Sequence, residues 1–414
     1  MSVFRFLAIL LGSLWAHLAS AQELRVLTSF PPDLSTAYTR MWAERAADAE
    51  IRVLNKNTVA AIEEVLRGNS RGFDIFWASS PEAFELLQRR GAFADTGLCG
   101  PDGPHTVAPF ALSSVGWARR SDSRLFMPTN WNDLLRPLYR DKIAMARPAR
   151  SGSAHMLVER MLMVRGWEDG WRYLLELSGN LSTLTARSYG VPDGLINERF
   201  EIGLTIDFLS EAKSDMLDFR YGRPIVLAAA QVGILKGGKA PMRACDFLRM
   251  LLSRDGQAAL MAPGISRIPF DPLVREEMVA DLPEDIVEAL KLAWLEYDAE
   301  QSSNRYWAVN TLFDLMITDR LVERRNLWRR YHALQGTLPP DALSSVRALL
   351  TETPVTGEEA LDASLTLYDG AQTVSRRDAV RLERDLLRDW NTRVAQTMAR
   401  ADAALNLLER RVEE

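Results

Sequence analysis

Short apolar runs alternate with amphipathic segments along the first two thirds of the chain. Three strand-like runs are each followed by a segment of helical period, at 24–29 and 34–47, 50–54 and 58–66, and 73–78 and 81–90. Strands that alternate with helices through short connections are typical of a parallel sheet. The pattern therefore predicts an α/β body that begins near residue 23.

The alternation continues as far as residue 272. Further strands are predicted at 113–119, 143–146, 202–206 and 225–235, and helices at 154–164, 167–176 and 244–252. The segments 181–186 and 191–199 fit the same alternation.

From residue 273 onward the pattern is almost wholly helical, with breaks at 336–340 and 351–357. The last segment, 375–411, contains no proline or glycine and carries apolar residues every three or four positions. These residues are Leu387, Trp390, Val394, Met398, Ala401, Leu405, Leu408 and Val412. They form one apolar stripe along about ten helical turns. The stripe either packs against the chain's own helices or offers a docking face, and we favour packing for most of it.

Composition and charge narrow the range of partners. The chain has 414 residues, 47% hydrophobic and 25% charged, which is an ordinary globular composition with room for two or three domains. Its formal net charge is −5, whereas proteins that bind nucleic acids or anionic membranes usually have an excess of basic residues. We therefore predict no nucleic-acid partner. Six of the 50 basic residues are lysine and 44 are arginine, so a single arginine beside a turn is a weak sign of a binding site.

The N-terminus predicts export. Arg5 precedes an apolar run at 6–18, and Ala19-Ser20-Ala21 supplies the small residues of a signal-peptidase site. We predict a signal peptide at 1–21, cleaved after Ala21, and a periplasmic mature protein. A retained anchor is the alternative, but the apolar run is short for a bilayer span.

Cys99 and Cys245 are the only cysteines. An exported chain permits a disulfide between them. Two buried thiols are the alternative, and the sequence leaves both open.

Three of the predicted strand-to-helix turns share a chemistry. They are Lys56-Asn57-Thr58, Ser79-Ser80-Pro81 and Arg150-Ser151-Gly152-Ser153. In an open parallel sheet such turns gather beyond the carboxyl ends of the strands, where ligands bind. Helix N-termini offer free N–H groups and partial positive charge, so the turns predict a site for a small anion. The alternative for each turn is that it caps only its own helix.

Other polar residues extend this candidate site. Arg187 or Arg150 could clamp a phosphate or carboxylate in bidentate fashion, or each could form a surface ion pair. Asp207 could accept a ligand hydroxyl or cap the next element. The candidate ligand-binding residues are Ser29, Asn57, Thr58, Ser79, Ser80, Arg150, Ser151, Gly152, Ser153, Arg187, Ser188, Tyr189 and Asp207.

Motifs of catalysis are absent from the sequence. It contains no G-x-S-x-G, H-E-x-x-H, Walker loop or C-x-x-C, and its four histidines are scattered. We therefore predict a binding protein rather than an enzyme, with no cofactor and no metal.

Several segments resemble a known family, the periplasmic solute-binding proteins of ABC importers. The resemblance is to the ferric-iron, phosphonate and sugar-phosphate branch of their type 2 class. It rests on the segments 27–32, 73–78, 131–135 and 142–148, and on the helix from Cys245 to Gly256. The chain is also similar to the regulatory receptors of phosphoglycerate uptake, at 51–55, 79–81, 155–159, 166–171, 178–181, 187–191 and 310–330.

This resemblance implies an α/β, two-lobed type 2 periplasmic binding protein with a C-terminal all-helical extension. We expect residues 22–113 and 224–272 to form lobe 1, 114–223 to form lobe 2, and 273–414 to form the helical domain. The binding residues that it implies are Ser79, Ser80, Ser151, Ser153, Arg187 and Ser188. Iron binders of this class use paired tyrosines, whereas Tyr189 and Tyr221 are not adjacent here.

The resemblance also implies a function. The receptor would close on a small phosphorylated, phosphoglycerate-like acid and signal to a membrane sensor kinase that controls its uptake. The alternative is the ordinary binding component of an ABC permease for a phosphonate, sugar phosphate or other small anion.

Overall fold

The computed structural model of the protein describes residues 23–46, 50–291, 295–368 and 376–414. The predicted signal peptide lies outside the described residues. Within them, no helix combines the length and the apolar composition of a membrane-spanning segment.

The described residues form twelve strands. They are β1 (Leu24–Thr28), β2 (Ile51–Asn55), β3 (Ile75–Ala78), β4 (Val107–Ser113), β5 (Val115–Arg120), β6 (Ile143–Ala146), β7 (Leu181–Thr185), β8 (Ile202–Ile206), β9 (Leu217–Tyr221), β10 (Val226–Ile234), β11 (Ile268–Pro269) and β12 (Leu295–Glu296).

The α-helices of the described residues follow most of these strands and then fill the C-terminal third. They are α1 (Pro32–Arg45), α2 (Thr58–Leu66), α3 (Pro81–Arg89), α4 (Gly152–Arg165), α5 (Trp167–Leu177), α6 (Gly190–Ile196), α7 (Asp207–Glu211), α8 (Pro241–Leu252), α9 (Arg254–Ala258), α10 (Pro272–Glu277), α11 (Glu284–Lys291), α12 (Ala299–Asn304), α13 (Tyr306–Phe313), α14 (Leu321–Gln335), α15 (Pro340–Leu350), α16 (Gly357–Tyr368) and α17 (Arg376–Glu413).

Two sheets form the centres of two lobes. The first has the order β11-β4-β10-β3-β1-β2, with β12 paired to β10, and the second has the order β7-β6-β8-β5-β9. Parallel pairing joins β1 to β2 and β3, and joins β6 to β7 and β8. The α/β, two-lobed fold class is therefore confirmed, with each sheet partly parallel.

The chain crosses between the sheets at Ser114. The strand predicted at 113–119 is β5, which begins two residues later, at Val115, because Ser113 ends β4 of the first sheet. The backbone N–H of Ser114 donates to Asp207 at 2.8 Å, and its hydroxyl donates to the carbonyl of Val226 at 2.9 Å. The chain returns to the first sheet just before β10, which begins at Val226. The bond from Ser114 to Val226 therefore joins the two crossings of the chain.

The C-terminal helices pack on both lobes. The prediction of an almost wholly helical tail missed β12, which pairs in parallel with β10 of the first sheet. The largest apolar cluster runs from Trp117 in the second sheet through Trp171 to Trp328 and Trp390 of the tail. The apolar stripe of α17 is buried over most of its length and packs against α14, α15 and α16, so the favoured interpretation is confirmed.

Two further local features bear on the candidate site and the first lobe. Helix α4 begins at Gly152, two residues before the predicted start, because the Ser151 hydroxyl accepts from the Ala154 N–H at 3.2 Å and caps it. Cys99 and Cys245 form a disulfide that ties the loop after α3 to α8. The disulfide settles the alternative that the sequence left open.

Candidate ligand-binding cleft

Turns from both lobes meet around one cavity, which we call the cleft cavity. The structure brings twelve of the thirteen sequence-predicted residues to its lining, all except Asp207. They are Ser29, Asn57, Thr58, Ser79, Ser80, Arg150, Ser151, Gly152, Ser153, Arg187, Ser188 and Tyr189. Phe30, Pro31, Phe208 and Leu209 complete it. Apolar walls thus surround a polar floor of hydroxyls, amides and guanidinium groups.

Three helices begin at this cavity. Asn57 and Ser151 cap α2 and α4, with the Asn57 side-chain oxygen accepting from the Ala60 N–H at 2.8 Å. Ser80 occupies the N-cap of α3 without bonding to its backbone, and Pro81 follows. Asn57 and Ser151 can therefore cap their helices and still line the cavity. The N-termini of the three helices each carry a partial positive charge, and all three lie at the same small cavity.

The two lobes touch across the cavity. The Gly152 N–H of α4 donates to the Thr58 hydroxyl of α2 at 3.2 Å. A Cβ atom added at Gly152 would lie 2.8 Å from the Ser80 Cβ, so this contact requires glycine. The Arg187 guanidinium donates to the side-chain oxygen of Asn55 in the first lobe. These contacts leave about 30 Å³ of free space in the cleft cavity.

Hydroxyls and arginines give the cavity its donors. The Ser151 Oγ lies 2.9 Å from the Ser188 Oγ and 3.2 Å from the Ser153 Oγ, so three hydroxyls form one cluster. Arg150 is exposed, and its side chain forms no hydrogen bond or ion pair with any residue of the described ranges. The Arg187 guanidinium lies 5.4 Å from the centre of the Tyr189 ring. Rotatable hydroxyls and free guanidinium N–H groups suit an oxyanion.

Asp207 is not at this cavity, which corrects the prediction that it accepts a ligand hydroxyl. It is buried, and its carboxylate accepts the N–H groups of Ser114 and Phe208, both at 2.8 Å. Burial raises the pKa of Asp207 to about 7, against the opposing effect of these bonds. Asp207 is the first residue of α7 and not its N-cap, and its carboxylate joins the start of this helix to the crossing at Ser114.

Arg267 is the main residue that the sequence did not reveal. Its side chain is 1% exposed, and its Nη2 donates to the Ser79 hydroxyl at 3.4 Å. The guanidinium carbon lies 4.3 Å from the ring centre of Phe30 and 3.5 Å from that of Phe208. Burial lowers the pKa of the Arg267 guanidinium to about 9. Arg267 lies just before β11, in a segment without helical or strand period, and nothing local separates it from the other 43 arginines.

A buried polar network leads away from the cleft into the C-terminal helices. Ser80 donates to Glu82 in the first turn of α3, and burial raises the pKa of Glu82 to about 7. Tyr297 lies beside Glu82 and donates to the Ser302 hydroxyl at 2.7 Å. The Ser302 hydroxyl lies 3.0 Å from Nε2 of His155 on α4.

Helix α4 is bound to the tail at three further points. His155 Nδ1 lies 3.0 Å from the side-chain oxygen of Asn310, and Arg305 pairs with the fully buried Glu159 at 2.6 Å. Just before α4, Arg147 donates two bonds of 2.7 Å to Asp314. The tail therefore contacts the helix that carries Gly152 and Ser153, while α12 packs against α3 of the other lobe.

Two α/β lobes joined by chain crossings, with ligand-facing turns between them, define the class of bilobal solute-binding proteins. Residues 29–266 match the family model described as bacterial extracellular solute-binding protein, and the chain belongs to this family. The resemblance inferred from the sequence is confirmed. As a member of this family the chain is a binding protein and not an enzyme.

The relatives include the phosphoglycerate transport regulatory protein PgtC of Salmonella typhimurium. It is 28% identical over 362 residues, which cover 83% of this chain and 89% of PgtC. Among solved structures, the periplasmic binding protein AfuA of Actinobacillus pleuropneumoniae, with exogenous fructose-6-phosphate bound, has a TM-score of 0.62 at 16% identity. That match covers 72% of this chain and 99% of AfuA. The apo ferric ion-binding protein A of Pasteurella haemolytica has a TM-score of 0.56 at 13% identity, covering 71% and 97%. These two likenesses show the fold.

Proposed function

We propose that this protein is a periplasmic receptor that binds a small phosphorylated, phosphoglycerate-like acid between its lobes. The observation that carries the proposal is the convergence of three helix N-termini, a cluster of serine hydroxyls and two arginines on the cleft cavity. Each supplies hydrogen-bond donors to an oxyanion, and the net negative charge of a phosphate matches the helix dipoles.

In this proposal the two lobes close on the ligand by a hinge movement. We assign residues 22–113 and 224–272 to one lobe and 114–223 to the other, with the crossings near Ser114 and Val226 as the hinge. The bond between Gly152 and Thr58 closes the cleft, so a ligand enters when the lobes part and stabilises their closure by binding both.

We further propose that closure is reported to a membrane sensor kinase that controls uptake of the ligand. Two observations support a regulatory role: PgtC is a transport regulatory protein, and the C-terminal helices contact α3 and α4 beside the cleft. Movement of α3 relative to α4 would have to rearrange the network around Tyr297, Ser302 and His155. The alternative partner is an ABC permease, which would make the receptor an importer component.

Calorimetric titration of the mature protein tests the ligand class. We expect saturable binding of 3-phosphoglycerate and weak or no binding of glycerate, which lacks the phosphate. Titrations with fructose 6-phosphate and with a phosphonate show whether the site also binds other phosphorylated compounds or phosphonates. Equal affinity for glycerate and 3-phosphoglycerate, or no binding of any phosphorylated compound, would contradict the proposal. A pull-down with the detergent-solubilised kinase and permease, with and without ligand, separates sensing from import.

A further inference from the structure

A second cavity, the side cavity, opens next to the cleft cavity. The two share Pro31, Tyr189, Phe208 and Leu209 in their walls. The side cavity has about 240 Å³ of free space, compared with about 30 Å³ in the cleft cavity. Most of the free space between the lobes is therefore in the side cavity, directly beside the polar groups of the cleft cavity.

Arg267 lines the side cavity with an unsatisfied donor. Although the residue is 1% exposed, its Nη1 has no hydrogen-bond partner among the described residues. The carboxylate of Asp207 interacts with the Arg267 guanidinium electrostatically, but it is already engaged by two backbone N–H groups and, within the described residues, accepts no hydrogen bond from Arg267. A buried guanidinium donor without an acceptor is unfavourable, and a carboxylate satisfies it best through two parallel bonds.

The first turn of α1 faces the same cavity. Pro31 is its N-cap, and no side chain bonds to the free N–H groups of this 14-residue helix. Asp33 and Leu34 of the first turn line the cavity. The other charged groups on its walls are Asp193 and Lys213, which pair with each other at 3.5 Å. The exposed Asp33 offsets part of the positive potential, and Nη1 of Arg267 remains a buried donor without an acceptor among the described residues.

We infer that the side cavity is a subsite for a second anionic group of the ligand, a carboxylate, held by Arg267 and the first turn of α1. The inference rests on the proposed function, since the phosphate of the same ligand would lie in the cleft cavity. The receptor then selects phosphorylated carboxylic acids over phosphate esters that lack the carboxylate. Arg267 is the specificity-determining residue.

Two ligands that differ in the carboxylate test this inference. 3-Phosphoglycerate and glycerol 3-phosphate carry the same phosphate ester, but the second has a hydroxymethyl group in place of the carboxylate. We expect the mature wild-type protein to prefer 3-phosphoglycerate by about 10- to 100-fold, the range for a hydrogen bond to a charged group. In Arg267→Met this preference falls to about threefold or less, because glycerol 3-phosphate keeps its affinity.

Arg160→Met is the matched control. Arg160 is also 1% exposed and has an unsatisfied Nε, but it lines neither cavity, so its loss leaves the preference unchanged. Arg267→Lys keeps the charge without the planar fork and reduces the preference by about tenfold. This variant serves if Arg267→Met does not fold, which thermal melting shows.

The outcomes separate the subsite from the proposed function. Wild-type protein that binds both ligands equally, or Arg267 variants that keep the wild-type preference, would overturn the subsite and leave phosphate binding in the cleft cavity standing. Wild-type protein that binds neither ligand would overturn the proposed function as well.

Discussion

At the scale of single residues, binding depends on donors that are free to turn towards a ligand. Arg187 already spans the cleft to Asn55, and its guanidinium stays half-buried beside Tyr189. A bound phosphate offers this guanidinium a charged acceptor in place of the neutral Asn55 amide. The exchange strengthens the hydrogen bond because the acceptor is ionised.

Replacing Arg187 by alanine should therefore weaken 3-phosphoglycerate binding by ~1–3 kcal/mol, the value of a charge-assisted hydrogen bond. Isothermal titration calorimetry measures the change. Arg172→Ala is the control in the same lobe, since its exposed pair with Asp169 lies away from the cleft. Equal dissociation constants for Arg187→Ala and wild type would contradict the role of Arg187.

Replacing Gly152 by alanine tests whether ligand binding requires the lobes to approach each other as closely as they do in the structure. The methyl group of Gly152→Ala would lie 2.8 Å from the Ser80 Cβ and 3.1 Å from the Thr58 Oγ1, so the closed state becomes overpacked. We expect closure, and with it ligand binding, to lose ~1–3 kcal/mol. Gly97→Ala is the matched control, because a Cβ there meets no atom within 4 Å. Unchanged affinity in Gly152→Ala would mean that ligand binding does not need this contact.

At the scale of elements, the first turn of α3 joins the cleft cavity to a buried carboxyl. Glu82 is fully buried, its Oε2 has no partner among the described residues, and its pKa is raised from 4.5 to about 7. The folded state thus holds a proton on Glu82 between these two pH values, where the unfolded state has lost it. Stability from this group is present at low pH and is lost as the pH rises to about 7.

Glu82→Gln removes this dependence. We expect the variant to gain melting temperature relative to wild type as the pH rises from 5 to 8, with the gain levelling above pH 7. Asp207, whose pKa is also raised to about 7, and His155, whose pKa is lowered by burial, are present in both proteins. Their contributions therefore cancel when the melting temperatures of the two proteins are subtracted at each pH. A difference that stays constant with pH would show that Glu82 titrates normally.

Local pattern was enough to predict most of these elements and their turns. The turns at 56–58 and 79–81 could be expected to meet because they follow parallel strands of one sheet, which place their carboxyl ends together. The turn at 150–153 follows β6 of the second sheet, and only the packing of the two lobes brings it to the other two. Strand β4 could not be predicted, since Pro109 interrupts its apolar run and its partners β10 and β11 are distant in sequence. Arg267 was missed for a related reason: its partners Phe30, Ser79 and Phe208 are distant in sequence, and only the tertiary fold brings them together.

At the scale of the whole molecule, the C-terminal helices join both lobes to one structure. Arg305 of the tail pairs with Glu159 on α4, and the carboxylate is 0% exposed. Removing the cation leaves this charge buried without its partner, which is more costly than the pair itself was worth. The tail should consequently contribute to the stability of the second lobe.

Arg305→Met should lower the free energy of unfolding by about 3–5 kcal/mol, as for other broken buried pairs. Arg347→Met is its control, because the pair of Arg347 with Glu176 lies largely at the surface and is worth about 0–1 kcal/mol. Denaturant unfolding followed by far-UV circular dichroism measures both. Similar losses in the two variants would argue against the buried pair as a joint between the tail and the second lobe.

The central claim is that helix N-termini from both lobes hold the phosphate of one ligand. A crystal structure of the mature protein with 3-phosphoglycerate tests it most directly. The account predicts phosphate oxygens within hydrogen-bond distance of Ser80 in one lobe and of Ser151 and Ser188 in the other. A phosphate bound to one lobe only, or outside the cleft cavity, would contradict it.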